Sequence, residues 1–314
     1  MTRILLTGGT GMVGRNVRDA AAGTGMTLIA PSSAELNLLD ARATLGFIEA
    51  ERPDIIVHAA GRVGGIHANI AAPVAFLTDN WDMGRNLLMA ARTAGVPRLL
   101  NLGSSCMYPA DSPDALKEEQ ILSGPLEPTN EGYALAKCSI ARLCTFIGRE
   151  DGRFAYKTLV PSNLYGPHDS FDPARSHLVP AIIHKLHLAK TRGDGNVEIW
   201  GTGEARREFL YAGDLADAIL MAIHKFDALP DLLNIGTGAD FTVNEHYRIA
   251  AEVIGYTGTF SHDLSKPSGM KRKLLDVGRA RQWGFVASTS LRDGIASTYQ
   301  HYLATGASDA LSAR

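Results

Sequence analysis

Tyr133 and Lys137 stand four residues apart, a spacing that puts both side chains on one face of a helix. A phenol is a poor acid–base group near neutral pH, and a neighbouring ammonium favours its phenolate. Such a pair suits the reduction of a ketone, whose oxygen must take a proton as hydride reaches carbon. A structural tyrosine beside a solvated lysine has the same spelling. Here, however, the pair follows Leu102-Gly103-Ser104-Ser105, an apolar run ending in hydroxyls, and Ser104 can donate to the same substrate oxygen.

Reduction also needs a hydride source. Gly8, Gly11 and Gly14 lie in Ile4-Leu5-Leu6-Thr7-Gly8-Gly9-Thr10-Gly11-Met12-Val13-Gly14, after a strand-like run and at the opening of a helix. Gly8 permits a tight turn, Gly11 lets backbone approach a pyrophosphate, and Gly14 lets the helix pack closely on the sheet. The helix N-terminus then faces the phosphates. An acid closing the second strand would bond a ribose 2′-hydroxyl and favour NAD. That strand ends Ala30-Pro31-Ser32-Ser33, with no carboxylate before Glu35. Removal of that repulsion, with the Ser32 and Ser33 hydroxyls and Arg15 nearby in sequence, leads us to expect NADP(H). Asp40 either contacts the adenine or caps a helix over 41–51. Both readings stay open.

These residues must be held by a scaffold, and the first half of the chain provides one. Strands are expected at Arg3–Thr7, Thr27–Ala30, Ile55–Ala59, Leu99–Leu102 and Lys157–Val160. Helices are expected at Gly14–Ala22, Ala41–Glu51, Val74–Ala94 and Tyr133–Arg149. This alternation predicts an α/β fold with a doubly wound parallel sheet covered on both faces. A nucleotide-binding domain over 1–165 and a smaller substrate-binding lobe over 166–314 follow, with 207–226 (strand then helix) returning to the first. The tail after Ala304 is small and polar, and is expected to fray.

Composition excludes several classes. The chain has 314 residues, 45% hydrophobic and 20% charged, with a net charge of -2. That size allows two domains at ~150 residues each. The charge gives no basic field for nucleic acid. No apolar run reaches the ~18 residues of a membrane span, and the N-terminus lacks a signal-peptide layout. Cys106, Cys138 and Cys144 have no paired spacing, which argues against disulfides and zinc and fits a reducing cytoplasm. His184 and His187 sit three apart on an expected helix without a nearby carboxylate, so they read as a solvated face and no metal is expected.

The Gly-x-x-Gly-x-x-Gly spacing resembles the short-chain dehydrogenase/reductase superfamily. Longer stretches are similar to its extended branch, the GDP-L-fucose synthases (GDP-4-keto-6-deoxymannose epimerase/reductases) in particular. They include His58-Ala59-Ala60-Gly61-Arg62-Val63-Gly64-Gly65-Ile66, Gly103-Ser104-Ser105-Cys106-Met107-Tyr108-Pro109 and Glu127-Pro128-Thr129-Asn130-Glu131. Others are Asn163-Leu164-Tyr165-Gly166-Pro167-His168-Asp169, Ser176-His177-Leu178-Val179-Pro180, Arg207-Glu208-Phe209 and Lys273-Leu274-Leu275-Asp276.

The resemblance implies a Rossmann-type fold and an enzyme that epimerises a GDP-linked 4-keto-6-deoxy sugar at C3 and C5, then reduces C4 with NADPH. One ketone acidifies both neighbouring carbons, so Ser104 and Tyr133 would stabilise an enolate as well as protonate the final alkoxide. By resemblance Cys106 is the base and His177 the acid, and ordinary thiol and imidazole values bracket neutral pH. The dinucleotide would lie along Gly8, Thr10, Gly11, Met12, Val13, Gly14, Ser32, Ser33, Asn37, Leu38, Asp40, Ala59, Ala60, Gly61, Lys137, Pro161, Asn163, Leu164 and His177. GDP would meet Lys185, Arg207, Lys273 and Trp200, although as residues alone these cations read as surface charges too. Lys185 stands where the family often has arginine, which forfeits bidentate binding.

A homodimer through a four-helix bundle is implied, with Leu87, Leu88, Ala91, Ile140 and Leu143 available at its seam or in a monomer core. Two other readings remain: a related reductase on another GDP-4-keto sugar such as a heptose, and a catalytically silent dinucleotide sensor.

Overall fold

The structure, a computed structural model, describes residues 2–112, 114–172, 176–266 and 270–305. The tail expected to fray lies, from residue 306 on, outside the described residues. In chain order the first elements are β1 (Arg3–Thr7), α1 (Met12–Ala21), β2 (Thr27–Ile29), α2 (Ala41–Glu51), β3 (Ile55–His58), α3 (Ile66–Ala71), α4 (Pro73–Thr93), β4 (Arg98–Leu102), α5 (Glu131–Glu150) and β5 (Ala155–Pro161). There follow β6 (Asn163–Tyr165), α6 (Leu178–Arg192), β7 (Asn196–Trp200), β8 (Arg206–Arg207), β9 (Phe209–Tyr211), α7 (Ala212–His224), β10 (Leu232–Ile235) and β11 (Phe241–Thr242). The last are α8 (Val243–Ile254), β12 (Thr259–Asp263), β13 (Arg272–Lys273), α9 (Gly278–Trp283) and α10 (Leu291–Ala304). The expected strands and helices of the first half all form, within a residue or two of their bounds.

Six strands make one parallel sheet in the order β10-β5-β4-β3-β1-β2. Its run-on apolar strands divide by alternate residues. Ile4, Leu6, Val57, Leu100 and Leu102 face a core with Val17 of α1 and Leu215 and Ile219 of α7. Leu5, Ile56 and Leu99 face the other core, with Ile48, Leu87, Leu88 and Ile140 of α2, α4 and α5. Burial on both faces is why these strands read as continuous apolar runs, each such side chain stabilising by about 1.5–3 kcal/mol. The strand order reverses between β1 and β3, which opens a crevice at the carboxyl ends of the strands.

Past residue 165 the chain builds a second core. Val179, Ile182, Ile183 and Leu186 of α6 pack with Val197, Ile199, Tyr247, Ile254, Tyr299 and Tyr302. Sharp ends keep this lobe's helices in register: Gly193 closes α6 in the left-handed region, and Thr242 and Glu245 form a capping box on α8. The small sheet β11-β8-β13 and the parallel pair β6–β9 lie between the lobes. The helix α7 packs on α1, and the chain then adds β10 to the edge of the main sheet beside β5.

Candidate active site

The glycine loop sits at the carboxyl end of β1. Gly8 has φ +73°, and a Cβ on Gly14 would lie 2.2 Å from the Gly8 carbonyl oxygen, so a larger residue at Gly14 breaks the turn. Gly11 is different: a Cβ there meets nothing closer than 3.5 Å, so its smallness answers to something outside the chain. Gly11 also caps α1 without a side-chain bond, which leaves the helix's first N–H groups, Met12 and Val13 among them, for an anion. Ala59, Ala60 and Gly61 follow β3, Pro161 ends β5, and Asn163 and Leu164 lie on β6, all opening on the same crevice. A Cβ on Gly61 would be 3.8 Å from Lys137 Nζ, which joins this wall to the catalytic helix. These residues fit a dinucleotide, whose role when bound is to carry hydride.

Some expected contacts have other partners. Asp40 caps α2, accepting from Arg42 N and Ala43 N at 2.9 Å each. Asn37 closes a local turn by accepting from Leu39 N, and Leu38 is buried, its carbonyl bonded by Asn86. Ser32, read as a phosphate donor, gives both its N–H and its hydroxyl to Glu35, at 2.7 and 2.8 Å. These two bonds hold the Glu35 carboxyl below its usual range. Ser33 is exposed, and Arg15 donates Nε to the Thr10 carbonyl beside the loop at 3.0 Å.

Ser104 lies two residues past the end of β4, and Tyr133 and Lys137 lie in the first two turns of α5. Ser104 hydrogen-bonds Tyr133 and accepts from Cys106 N at 3.2 Å. Burial, reinforced by Cys106, pushes the Tyr133 phenol far above its ordinary value, with the Ser104 bond opposing. Tyr133 therefore rests as a phenol, the form that can donate, and not as the phenolate its spacing to lysine implied. Lys137 is 7% exposed, donates Nζ to the Leu102 carbonyl at 2.9 Å, and lies 5.8 Å from the Tyr133 ring. Burial lowers it to about 8. Its ammonium disappears as pH rises through about 8, so turnover is expected to fall on that alkaline side, and Lys137→Arg to remove the fall. A pH profile of kcat for both proteins checks this.

Cys106 is half-buried in the turn after Ser104. Asn130 Nδ2 donates to its sulfur at 3.3 Å and Lys273 Nζ at 3.6 Å. His177 is the N-cap of α6, and its side chain makes no capping bond. Surrounding protein and the Lys273 charge hold its imidazole below the ordinary value. β8 and β13 pair Lys273 with Arg207, so both cations project from one face of the small sheet. Arg207 is half-buried and feels Glu127, with no carboxylate within ion-pair reach among the described residues. Lys185 instead reaches the Glu198 carbonyl of β7. Trp200, half-exposed at the end of β7, meets the His67 ring edge-on at 6.4 Å and lies under Lys266 at 5.7 Å.

The structure thus gathers Ser104, Cys106, Tyr133, Lys137 and Lys273 and leaves Lys185 and Trp200 on the far wall of the second lobe. His184 and His187 do not form a solvated face: His184 is buried, bonding Tyr302 at 2.8 Å, and His187 bonds Tyr299 at 3.0 Å. Among the described residues no group of three or more His, Cys, Asp or Glu could hold a metal ion, and no helix is long and apolar enough to cross a membrane.

Two residues carry structure that the sequence reading missed. Asn130 was quoted only within a motif; its place one turn before Tyr133 was the available signal. Glu208 is buried and accepts from Thr237 N, Gly238 N and Leu275 N at 2.6, 2.8 and 2.8 Å, tying β13 and its Lys273 to the sheet. Glu208→Ala strands three buried N–H groups, at ~1–3 kcal/mol each. A Tm lower by roughly 5–10 °C is expected, with Glu208→Gln intermediate because one oxygen survives. A calorimetric Tm unchanged in Glu208→Ala would contradict this account.

Comparison with known proteins agrees with the geometry. Residues 4–236 match the model of the NAD dependent epimerase/dehydratase family. The chain is 50% identical over 301 residues to the GDP-L-colitose synthase of Yersinia pseudotuberculosis, covering 96% of this chain and 98% of that one. It is also 50% identical over 301 residues to the GDP-L-fucose synthase of Azorhizobium caulinodans, covering 96% of each. Among solved structures, a GDP-mannoheptose C4 reductase from Campylobacter jejuni with NADP bound superposes with a TM-score of 0.87 at 29% identity, covering 96% of this chain and 98% of that one. With a glycine-loop crevice, a Ser–Tyr–Lys group and a family match over most of its length, the chain belongs to the NAD dependent epimerase/dehydratase family.

Proposed function

We propose that this protein is an NADP-dependent GDP-L-fucose synthase, epimerising GDP-4-keto-6-deoxy-D-mannose at C3 and C5 and reducing it at C4. What supports the reading is the Ser104–Tyr133 pair beside Cys106, with Lys273 reaching the Cys106 sulfur and its charge felt by His177. With the C4 oxygen bonded by Ser104 and Tyr133, Cys106 removes the proton from C3 or C5. The electron pair moves onto the C4 oxygen, and His177 returns a proton to carbon from the opposite face. Hydride then reaches C4 and Tyr133 delivers its proton to the oxygen, with Lys137 beside it. NADP(H) serves as cofactor, along the glycine loop, Ala59–Gly61 and Asn163–Leu164. Arg207 and Lys273 receive the diphosphate, and Lys185 and Trp200 the remainder of the nucleotide.

The test is NADPH oxidation by the purified protein with GDP-4-keto-6-deoxy-D-mannose, run in D2O with NMR of the product. Deuterium at both C3 and C5 is expected, with NADPH preferred over NADH. No oxidation with any GDP-4-keto sugar would return the chain to the dinucleotide-sensor reading. A second reading has its own support in the equal identity to a colitose synthase and in the heptose reductase neighbour. Under it the ketone belongs to another GDP-linked deoxy sugar, and one carbon stays free of deuterium.

Assembly and location complete the proposal. Leu87, Leu88, Ala91 and Ile140 lie inside the monomer core and are not free for a seam. Val74, Leu77 and Met89 of α4 and Leu135 and Phe146 of α5 are exposed, and Val74, Leu77, Leu135 and Phe146 supply the face for a four-helix-bundle homodimer. Phe146→Glu is expected to give monomers by light scattering. Three free thiols and the use of NADPH suit the cytoplasm.

A further inference from the structure

The sulfur of Cys106 is held from two sides by elements far apart in sequence. Asn130 Nδ2, from the turn that leads into α5, lies 3.3 Å away, and Lys273 Nζ, from β13 of the second lobe, lies 3.6 Å away. Asn130 Nδ2 is the amide atom that faces the sulfur, while its Oδ1 is buried without a hydrogen-bond partner among the described residues. Lys273 has its place fixed independently: Glu208 anchors Leu275 N, and β8 sets the register of β13. Cys138 and Cys144, by contrast, are buried, and burial pushes each up to about 12, with the Arg142 charge only partly opposing it at Cys138. One sulfur out of three is placed between a cation and an amide donor.

We propose that Lys273 and Asn130 are positioning residues for Cys106, orienting its sulfur and holding it as the thiolate that takes the proton from the sugar carbon. This rests on the epimerase/reductase reading above and gives Lys273 a role beyond the diphosphate. The proton passes from C3 or C5 to the sulfur, leaving a neutral thiol beside the Lys273 ammonium, and the electron pair goes to the ketone oxygen. Return of the proton from the thiol to solvent restores the thiolate. The charge on this sulfur also bears on the next step: it disfavours ionisation of Tyr133, so the same thiolate helps keep the C4 proton donor protonated.

Two readouts test the proposal. Alkylation of Cys106 by iodoacetamide at neutral pH, followed by peptide mass, needs no substrate. Lys273→Met is expected to slow it about ten-fold and Asn130→Ala by a smaller factor, with Lys273→Arg close to wild type. In the second, Lys273→Met is expected to slow deuterium entry at C3 and C5 far more than the kcat for oxidation of GDP-L-fucose by NADP+, which requires no epimerisation. An unchanged alkylation rate in Lys273→Met overturns the proposal. So does a fall of exchange and oxidation in equal proportion, the mark of a purely phosphate-binding lysine. If the wild-type enzyme acts on no GDP-4-keto sugar, the proposed function fails, and the alkylation rates still decide whether Lys273 and Asn130 activate the sulfur.

Discussion

Tyr133→Phe is expected to bind NADPH as the wild type does and to lose ketone reduction by roughly 10³, within the 10²–10⁴ range for a positioned acid. The argument starts from protonation. Burial, with Cys106 nearby, keeps the phenol protonated, and its bond with Ser104 aims the pair at one oxygen. Removing the hydroxyl leaves Ser104 to bond that oxygen, but the hydroxyl has no neighbour to replace its proton. Lys137 does not stand in, because its Nζ is drawn toward the Leu102 carbonyl and lies 5.8 Å from the centre of the ring. Binding of the dinucleotide depends on the glycine loop and is untouched. Single-turnover NADPH oxidation with saturating substrate measures the loss, and nicotinamide fluorescence titration measures binding. A loss under ten-fold would mean that another group protonates the C4 oxygen. Ser104→Ala should cost less, since it removes a bond and leaves the proton donor.

Much of the scaffold was legible because its signals are local. Runs such as Ile4-Leu5-Leu6 and Ile55-Ile56-Val57 are apolar throughout, which is what burial on both faces demands, and they became central strands. The glycine loop was legible for the same reason: Gly14 answers to Gly8 and Gly9 in its own turn, and Gly8 to its positive φ. Contacts between distant segments were not. Nothing near Lys273 predicts that its ammonium reaches Cys106, since the approach depends on β13 pairing with β8 and on Glu208 holding Leu275. Ser32, expected along the dinucleotide, gives its hydroxyl to Glu35 three residues on. His184 and His187 were judged by helix spacing alone, which cannot see that Tyr302 and Tyr299 arrive from α10 to bond them. The apolar residues of α4 and α5 were open to a seam or a core, because apolar residues on an amphipathic helix do not declare which stripe meets the sheet. Leu87, Leu88 and Ile140 took that side, leaving Leu77 and Phe146 outside.

Cys106→Ala is expected to abolish deuterium entry at C3 and C5, while oxidation of GDP-L-fucose by NADP+ continues. The carbon acid beside a ketone needs a base on a defined face, and with the sulfur gone that face presents Asn130, an amide, and Lys273, an ammonium. Neither removes a proton near neutral pH. His177→Gln separates the other half of the inversion. Cys106 still removes a proton, but no acid waits on the opposite face, so the enolate can only take a proton back from the sulfur. The thiol exchanges its proton with solvent while the enolate is still bound, so deuterium should enter the recovered ketone with its configuration unchanged. Exchange with retention in His177→Gln, beside no exchange in Cys106→Ala, is a pattern that only a base and an acid on opposite faces produce. It is read by NMR of the 4-keto sugar recovered from D2O without cofactor. Inversion surviving in His177→Gln would move the acid role to solvent, and exchange surviving in Cys106→Ala would remove the sulfur from the chemistry. The two variants therefore test the cleft's geometry directly, since the pattern depends on which side of the sugar each residue occupies.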